Sequence, residues 1–181
     1  MMTLAILKPD SVRAGNAGKI LAHLEKEGFT VRGLKVLHLT QAQAEAFYEV
    51  HKERPFYGSL VEFMTSGPVI PVALEGDNAV PRLREVMGAT DVAKAAEGTV
   101  RKLFGTSIEE NAIHGSDSPE NATQELAFFF SRAELLAARL ELVRALRPLV
   151  GKAYDALVAG GSGAGPTELD YLCSAAPPGI A

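Results

Sequence analysis

The sequence predicts an α+β fold. It is a four-stranded antiparallel sheet covered by helices in the ferredoxin-like βαββαβ order, followed by a helical C-terminal extension. Three observations predict it. Short apolar runs of strand length fall at 3–7, 30–39, 69–74 and 126–130. Segments with helical spacing of apolar residues separate them. Past the last run the chain becomes rich in Leu and Ala up to Arg147. The order strand, helix, strand, helices, strand, helix, strand is that of a split βαβ unit with its helices on one face.

Thr3 to Leu7 is a buried strand that stops at Lys8-Pro9-Asp10, because Pro9 has no ladder donor. Ala17, Ile20, Leu21 and Leu24 then fall at i, i+3, i+4 and i+7, and Gly28 suits the end of that helix. Thr30 to Leu39 is a second strand with apolar residues on both faces. Thr40 and Gln43 match a capping box, opening a helix through Ala44, Phe47 and Tyr48 that Arg54-Pro55 breaks. A short helix follows from about Tyr57 to Met64 and ends at Ser66-Gly67-Pro68. Val69 to Leu74 is the third strand, where Pro71 implies a bulge or an edge. Asp77 or Asn78 caps the next helix, which tolerates Pro81 in its first turn, carries Arg84 and ends near Gly88. Gly98 to Ser107 has no clear period and reads as loop. Ser118-Pro119-Glu120 starts a helix with a cap, a proline and a carboxylate at the positive dipole end. Leu126 to Phe130 reads as the fourth strand. Ser131 to Glu134 is another capping box, opening a helix over about 132–147 that Pro148 breaks. Gly160 to Pro166 is a flexible linker leading to a Pro/Gly/Ala-rich tail.

With 181 residues the chain is long enough for one domain with a proper core. A net charge of −4 gives no general pull toward nucleic acid or anionic membrane. The single cysteine, Cys173, forms no internal disulfide, which fits a reducing cytosol. The apolar run at the N-terminus is too short for a signal peptide, and no segment approaches the ~20 apolar residues of a membrane span. The expected setting is therefore cytoplasmic.

Among residues that carry chemistry, Glu125 shares a face with Phe129 whether the segment is helix or strand. Either it is simply exposed, or it is an inward carboxylate that needs a partner, and His114 is at hand across a turn. A carboxylate that accepts from one imidazole nitrogen fixes the tautomer and leaves the other nitrogen free to act as a nucleophile. Ser116 and Ser118 are placed to add hydrogen bonds. Lys8, Arg54, Arg84 and Arg101 lie at a strand end, before a proline, on a helix and in the loop-rich region. Singly each reads as a surface charge; converging on one cleft they would suit a polyphosphate. The four histidines show no zinc spacing, and magnesium needs no dedicated protein cage where phosphates supply oxygens. "GSGAG" lacks the Lys-Ser/Thr of a phosphate loop. Phe56 and Tyr57 read as core, or as an aromatic at a cleft mouth stacking on a base.

Taken together, "NAIHGSDS", "KPD" near the start, "RPFY" in the middle and "MGAT" before "GTVR" resemble the nucleoside diphosphate kinase family over about residues 3–134. The resemblance implies a catalytic domain at 1–134 that moves the γ-phosphate of a nucleoside triphosphate to a nucleoside diphosphate in a ping-pong cycle. His114 matches the nucleophile that becomes phosphohistidine, Glu125 the carboxylate that orients it, and Ser116 the serine bonded to that carboxylate. Lys8, Tyr48, Arg84, Thr90, Arg101 and Asn111 match residues that hold the phosphates and the sugar 3′-hydroxyl. Arg54 matches the arginine at the phosphate end, and Phe56, with Leu60 nearby, matches the base-stacking aromatic. Gly115 follows the histidine as in the family. The implied cofactor is Mg²⁺, held mainly through nucleotide phosphates. The implied partners are nucleoside di- and triphosphates and further copies of the chain, as a tetramer or hexamer.

Two features depart from the family pattern within that span. Asp91-Val92-Ala93 stands where Asn-Pro-Ala is usual, and Pro71 interrupts the third strand. A larger departure is the extension at 135–181, whose Leu/Ala stripe from Leu135 to Leu149 is too apolar to leave in water and is expected to pack on a neighbouring subunit. The alternative function is a nucleotide-binding regulatory or scaffold module whose extension recruits a partner.

Overall fold

The strand at the centre of the molecule, β1 (Met2–Leu7), is apolar at successive positions, and Leu4 to Leu7 are fully buried. A strand apolar on both faces needs a layer on each side. A computed structural model of the chain, which describes residues 1–136, shows how this is met. After β1 come α1 (Pro9–Arg13), α2 (Ala17–Lys26), β2 (Thr30–Leu34), α3 (Gln41–Phe47), α4 (Tyr57–Met64), β3 (Ile70–Glu75), α5 (Ala79–Met87), α6 (Val100–Phe104), β4 (Ile113–Gly115) and α7 (Pro119–Phe129). The four strands form one sheet in the order β2-β3-β1-β4, and every neighbouring pair is antiparallel. The α+β, ferredoxin-like architecture expected from the sequence is the one observed.

The helices cover both faces rather than the single face expected. Ala5 and Leu7 of β1 face a cluster with Ile20 and Leu24 of α2 and Leu83, Val86 and Met87 of α5. Leu4 and Ile6, alternating with them, face Ala44 of α3, Met64 of α4 and Leu126 and Phe129 of α7. Each fully buried Leu or Ile contributes about 1.5–3 kcal/mol relative to exposure, so the two layers are comparable supports.

Several elements differ from the sequence reading. Leu126 to Phe130 is not a strand. The helix capped by Ser118, whose hydroxyl accepts from the Asn121 N–H, continues through Phe129 and buries Leu126 and Phe129 three residues apart. The fourth strand is Ile113–Gly115, so the histidine itself lies in the sheet, opposite Ile6. The stretch read as loop at 98–107 contains α6. The second strand ends at Leu34, not Leu39, although a single bridge between Leu37 and Val69 follows.

Pro71 explains that early end. It lies in the inner strand β3, opposite Ile6, with no bulge at its own position and no edge. Its carbonyl accepts from the Lys35 N–H at 3.1 Å, but a proline returns no N–H, so the ladder toward β2 lapses there. The register shift falls in β2, between Val31 and Gly33. The Thr40–Gln43 capping box is present. So is the one at Ser131–Glu134, which starts a helical turn over 132–136. The remainder of the expected C-terminal helix, the Gly160–Pro166 linker and Cys173 lie outside the described residues.

Candidate active site

Because β4 pairs with β1, alternate residues of Ile113–Gly115 face opposite layers. Ile113 joins the α2/α5 layer, and a Cβ on Gly115 would stand 2.4 Å from Met87 Sδ and 3.0 Å from Leu83 Cδ2. Glycine is therefore what lets β4 close on α5. His114 points the other way, toward α3 and α7. The rings of Phe47 and Tyr48 meet it edge-on, with centroids 5.5 and 6.0 Å away.

The α7 helix brings Glu125 to that ring. The Nε2–H of His114 donates to the Glu125 carboxylate, at 3.1 Å to Oε1 and 3.2 Å to Oε2. A carboxylate only accepts, so this contact places the ring proton on Nε2 and leaves a lone pair on Nδ1. Ser116 Oγ donates to Glu125 Oε2 at 2.6 Å and itself accepts from the Leu4 N–H at 3.4 Å. Of the two readings of Glu125, the inward one holds. Its side chain and that of His114 are 20% and 23% exposed, so one edge of the pair meets solvent.

His114 lies in the lining of a cleft of about 550 Å³, a volume suited to a nucleotide-sized ligand. Every site residue expected from the sequence lines it except Ser116, which is buried behind Glu125, and Arg54, which stands exposed in the loop before Phe56. Lys8 arrives from the end of β1, Tyr48 from the end of α3, Phe56 and Leu60 from α4 and its cap, Arg84 from α5, and Arg101 from α6. Thr90, Asn111 and Gly115 complete the set.

Convergence, which sequence spacing could not supply, is visible in the electrostatics. Burial pushes the Lys8 ammonium down from 10.5 to about 8, against the opposing pull of Asp10, and the charge of Arg101 lowers it further. Burial, then the like charge of Arg84, pushes the Arg101 guanidinium down to about 10. Arg101 thus repels both Lys8 and Arg84, and a wall of like charges of this kind suits an anionic ligand. Burial raises the Tyr48 phenol, with Glu125 adding to the effect, so it stays a neutral donor.

The cations are held by backbone carbonyls. Arg101 donates to Gly88 O at 3.0 Å, Ile113 O at 3.0 Å and Thr90 Oγ1 at 3.3 Å, while its Nε is buried without a partner among the described residues. Gly88 adopts φ +83°, and a Cβ there would lie 2.4 Å from Thr99 Oγ1, so only glycine turns its carbonyl toward Arg101. Lys8 Nζ donates to Glu109 O at 2.6 Å and Asn111 Oδ1 at 2.9 Å, and lies 4.8 Å from the centroid of the Phe63 ring. In the Asp91 to Ala93 segment that departs from the family pattern, Asp91 Oδ1 accepts from the Ala93 N–H and caps a short 3-10 turn, Val92–Lys94.

Phe56 leaves 50% of its surface bare at the cleft, beside His51 at 5.7 Å between centroids. Phe56 is thus at the mouth, whereas Tyr57 packs against the α3/α4/α7 core layer as the core reading had it. Sequence reasoning missed Ile108, 60% exposed on the cleft lining, and Phe47 as a neighbour of the histidine. Neither carried a signal, since a lone apolar residue in a polar loop and a helix residue of unknown orientation have no period to read.

A four-stranded α+β sheet that delivers an acid-held imidazole into a cation-walled, nucleotide-sized cleft defines a phosphotransferase by its chemistry. The family model for nucleoside diphosphate kinase matches residues 2–135. The chain is 56% identical over 134 residues to the nucleoside diphosphate kinase of Persephonella marina, covering 74% of this chain and 96% of that one. It is 53% identical over 148 residues to the enzyme of Chlamydia pneumoniae, covering 82% and 98%. Among solved structures it is similar to the Aquifex aeolicus nucleoside diphosphate kinase, with a TM-score of 0.72 and 48% identity over 74% of this chain and 96% of that one. It is also similar to the Halobacterium salinarum enzyme in complex with CDP, at a TM-score of 0.71 and 38% identity over 74% and 90%. The chain belongs to the nucleoside diphosphate kinase family, and its activity is that of a nucleoside diphosphate kinase.

Proposed function

We propose that His114 carries the phosphoryl group covalently between nucleotides. The observation that supports this is the Ser116–Glu125–His114 hydrogen-bonded chain, with Nδ1 left as the free nitrogen of a ring on the cleft lining. The Nδ1 lone pair attacks the γ-phosphorus of a nucleoside triphosphate, and the bond from that phosphorus to the β-phosphate oxygen breaks. The nucleoside diphosphate leaves. In the second half, a β-phosphate oxygen of another diphosphate attacks the same phosphorus, and the N–P bond breaks. As Nδ1 acquires phosphorus the ring gains positive charge, which Glu125 offsets through Nε2. Lys8, Arg84 and Arg101 hold charge on the phosphoryl oxygens, and positioning with such stabilisation is most of what phosphoryl transfer needs. Arg54, exposed before Phe56, joins them at the phosphate end. Tyr48, Thr90 and Asn111 donate to phosphate and sugar, while Phe56 and Leu60 receive the base. A ring face stacks on any base, which supports broad nucleotide acceptance.

A magnesium ion brought by the nucleotide would be held mainly by the phosphates, and Asp117, an exposed carboxylate on the lining whose Oδ1 accepts from Asn121 Nδ2, is the residue that could add an oxygen. Bound there, it would neutralise β- and γ-phosphate charge. We further propose that the enzyme is cytoplasmic and works as a homo-oligomer, a tetramer or hexamer. Leu34 and Val36, 42% and 65% exposed at the outer strand β2 and just beyond it, support association. No helix among the described residues is long and apolar enough to cross a membrane.

Incubation with γ-labelled ATP tests the carrier. The wild type is expected to take up label that is acid-labile and base-stable, and His114→Ala to take up none and to lose transfer to a second diphosphate. Label persisting on His114→Ala would reject the proposal.

A further inference from the structure

Two residues before His114, Ala112 adopts φ +69°. The Ile113 N–H donates back to Asn111 O at 2.8 Å, so Ala112 is the middle of a three-residue turn that an L residue enters only under strain. Three hydrogen bonds to its backbone hold it there. The Ala112 N–H donates to Asp10 Oδ2 at 2.9 Å. The Ala112 carbonyl accepts from the Lys8 N–H at 2.9 Å and from Ser11 Oγ at 3.0 Å. Ala112 is fully buried, so water cannot replace any of these partners. Asp10 does not line the cleft, and the mechanism above gives it no task.

We infer that Asp10 is a positioning residue for phosphoryl transfer: by accepting the Ala112 N–H it pins the strained turn that aims His114 and Asn111 at the nucleotide. The inference rests on His114 as the carrier. The turn is flanked by both groups it serves. Asn111, on one side, accepts from Lys8 Nζ through Oδ1. His114, on the other, must meet both Glu125 and the incoming phosphorus. Relaxing Ala112 to negative φ would redirect the chain between them. Asp10 Oδ1 is buried without a partner among the described residues, and the Asp10 charge favours the charged form of the Lys8 ammonium. The two effects separate by substitution. Asp10→Asn keeps an acceptor oxygen without the charge. Asp10→Glu keeps the charge but moves the acceptor by a methylene. Asp10→Ala removes both.

The measurement is the single-turnover rate of phosphoenzyme formation at saturating ATP, beside ADP affinity by calorimetry. Asp10→Ala and Asp10→Glu are expected to slow the rate about tenfold while ADP affinity moves less than about threefold, as misplacement of a reacting group does. Asp10→Asn is expected to stay near the wild-type rate. Adding Ala112→Gly to either slow variant should restore most of the rate, because glycine holds positive φ without strain. The Asn and Glu variants carry the test even where the alanine variant does not fold. A fast Glu variant with a slow Asn variant, ADP affinity falling as far as the rate, or no recovery with Ala112→Gly would each overturn the inference. In all of these cases an unlabelled His114→Ala leaves the carrier reading standing; a labelled one removes it independently.

Discussion

Glu125→Gln is the substitution that most directly probes how the imidazole is activated. It preserves shape and removes one negative charge 3.1 Å from His114 Nε2. At an effective dielectric near 20, a full unit charge on the ring would interact with that carboxylate by ~5 kcal/mol. Only part of that charge develops in a loose transition state, and the glutamine carbonyl still accepts the Nε2–H. What remains is the difference between a charge-assisted and a neutral hydrogen bond, about 1–1.5 kcal/mol. The expected loss in the rate of phosphoenzyme formation is therefore about tenfold at least. Ser116 magnifies rather than spares the effect. Its hydroxyl now donates to Oε2 at 2.6 Å, and a glutamine that offers its oxygen to the histidine turns an N–H₂ toward that donor.

The assay is rapid-quench phosphorylation by saturating ATP, with ADP binding measured separately. ADP affinity should stay within about threefold, because Glu125 stabilises charge that appears only during reaction. A rate loss below about threefold would refute the electrostatic reasoning, since the carboxylate would then be a mere spacer. A parallel loss of ADP affinity would refute the assignment of its effect to the transition state.

Three further predictions concern Lys8 and Gly115. Lys8 is pushed down to about 8, so kcat/KM should fall as pH rises through that value, and Lys8→Met should be slow throughout without that step. For stability the sign is opposite. Between about 8 and 10.5 the unfolded chain still holds the Lys8 proton while the folded chain has released it, so this group makes stability rise with pH across that window. Urea midpoints that rise equally in Lys8→Met would contradict this. Gly115→Ala puts a Cβ 2.4 Å from Met87 Sδ and should destabilise by about 1–3 kcal/mol, read from urea unfolding; an unchanged midpoint would show that β4 and α5 are not in contact as described.

The parts of the fold legible in the sequence were those whose local chemistry is sufficient. Thr40 with Gln43 and Ser118 with Pro119 announce helix starts because caps are short-range hydrogen bonds, and both are observed. β4 was not legible. Three residues, Ile113, His114 and Gly115, have no period, and their extended state comes from pairing with Ala5 to Leu7 more than a hundred positions away. Leu126 to Phe130 has a strand-like composition, yet a helix already running from Ser118 extends more cheaply than a new strand forms. Pro71 was readable as a disturbance but not as to where the disturbance falls: its missing donor ends β2 at the facing strand and leaves β3 intact.

The site divides along the same line. Which residues are proposed to bear the chemistry follows from motif resemblance, and the lining contains nearly all of them. What holds them in place did not follow, because the supports are backbone groups. Arg101 rests on the carbonyls of Gly88 and Ile113, Lys8 on that of Glu109, and the histidine on a positive-φ alanine. A carbonyl belongs to every residue type, so it leaves no trace in composition. These supports also explain why cations can be buried so close to one another. Each spends part of its donor capacity on a fixed dipole, which limits the desolvation cost without cancelling the charge. The charge that remains suits the anionic nucleotide of the proposed reaction, beside the ring whose free nitrogen the acid behind it has already set.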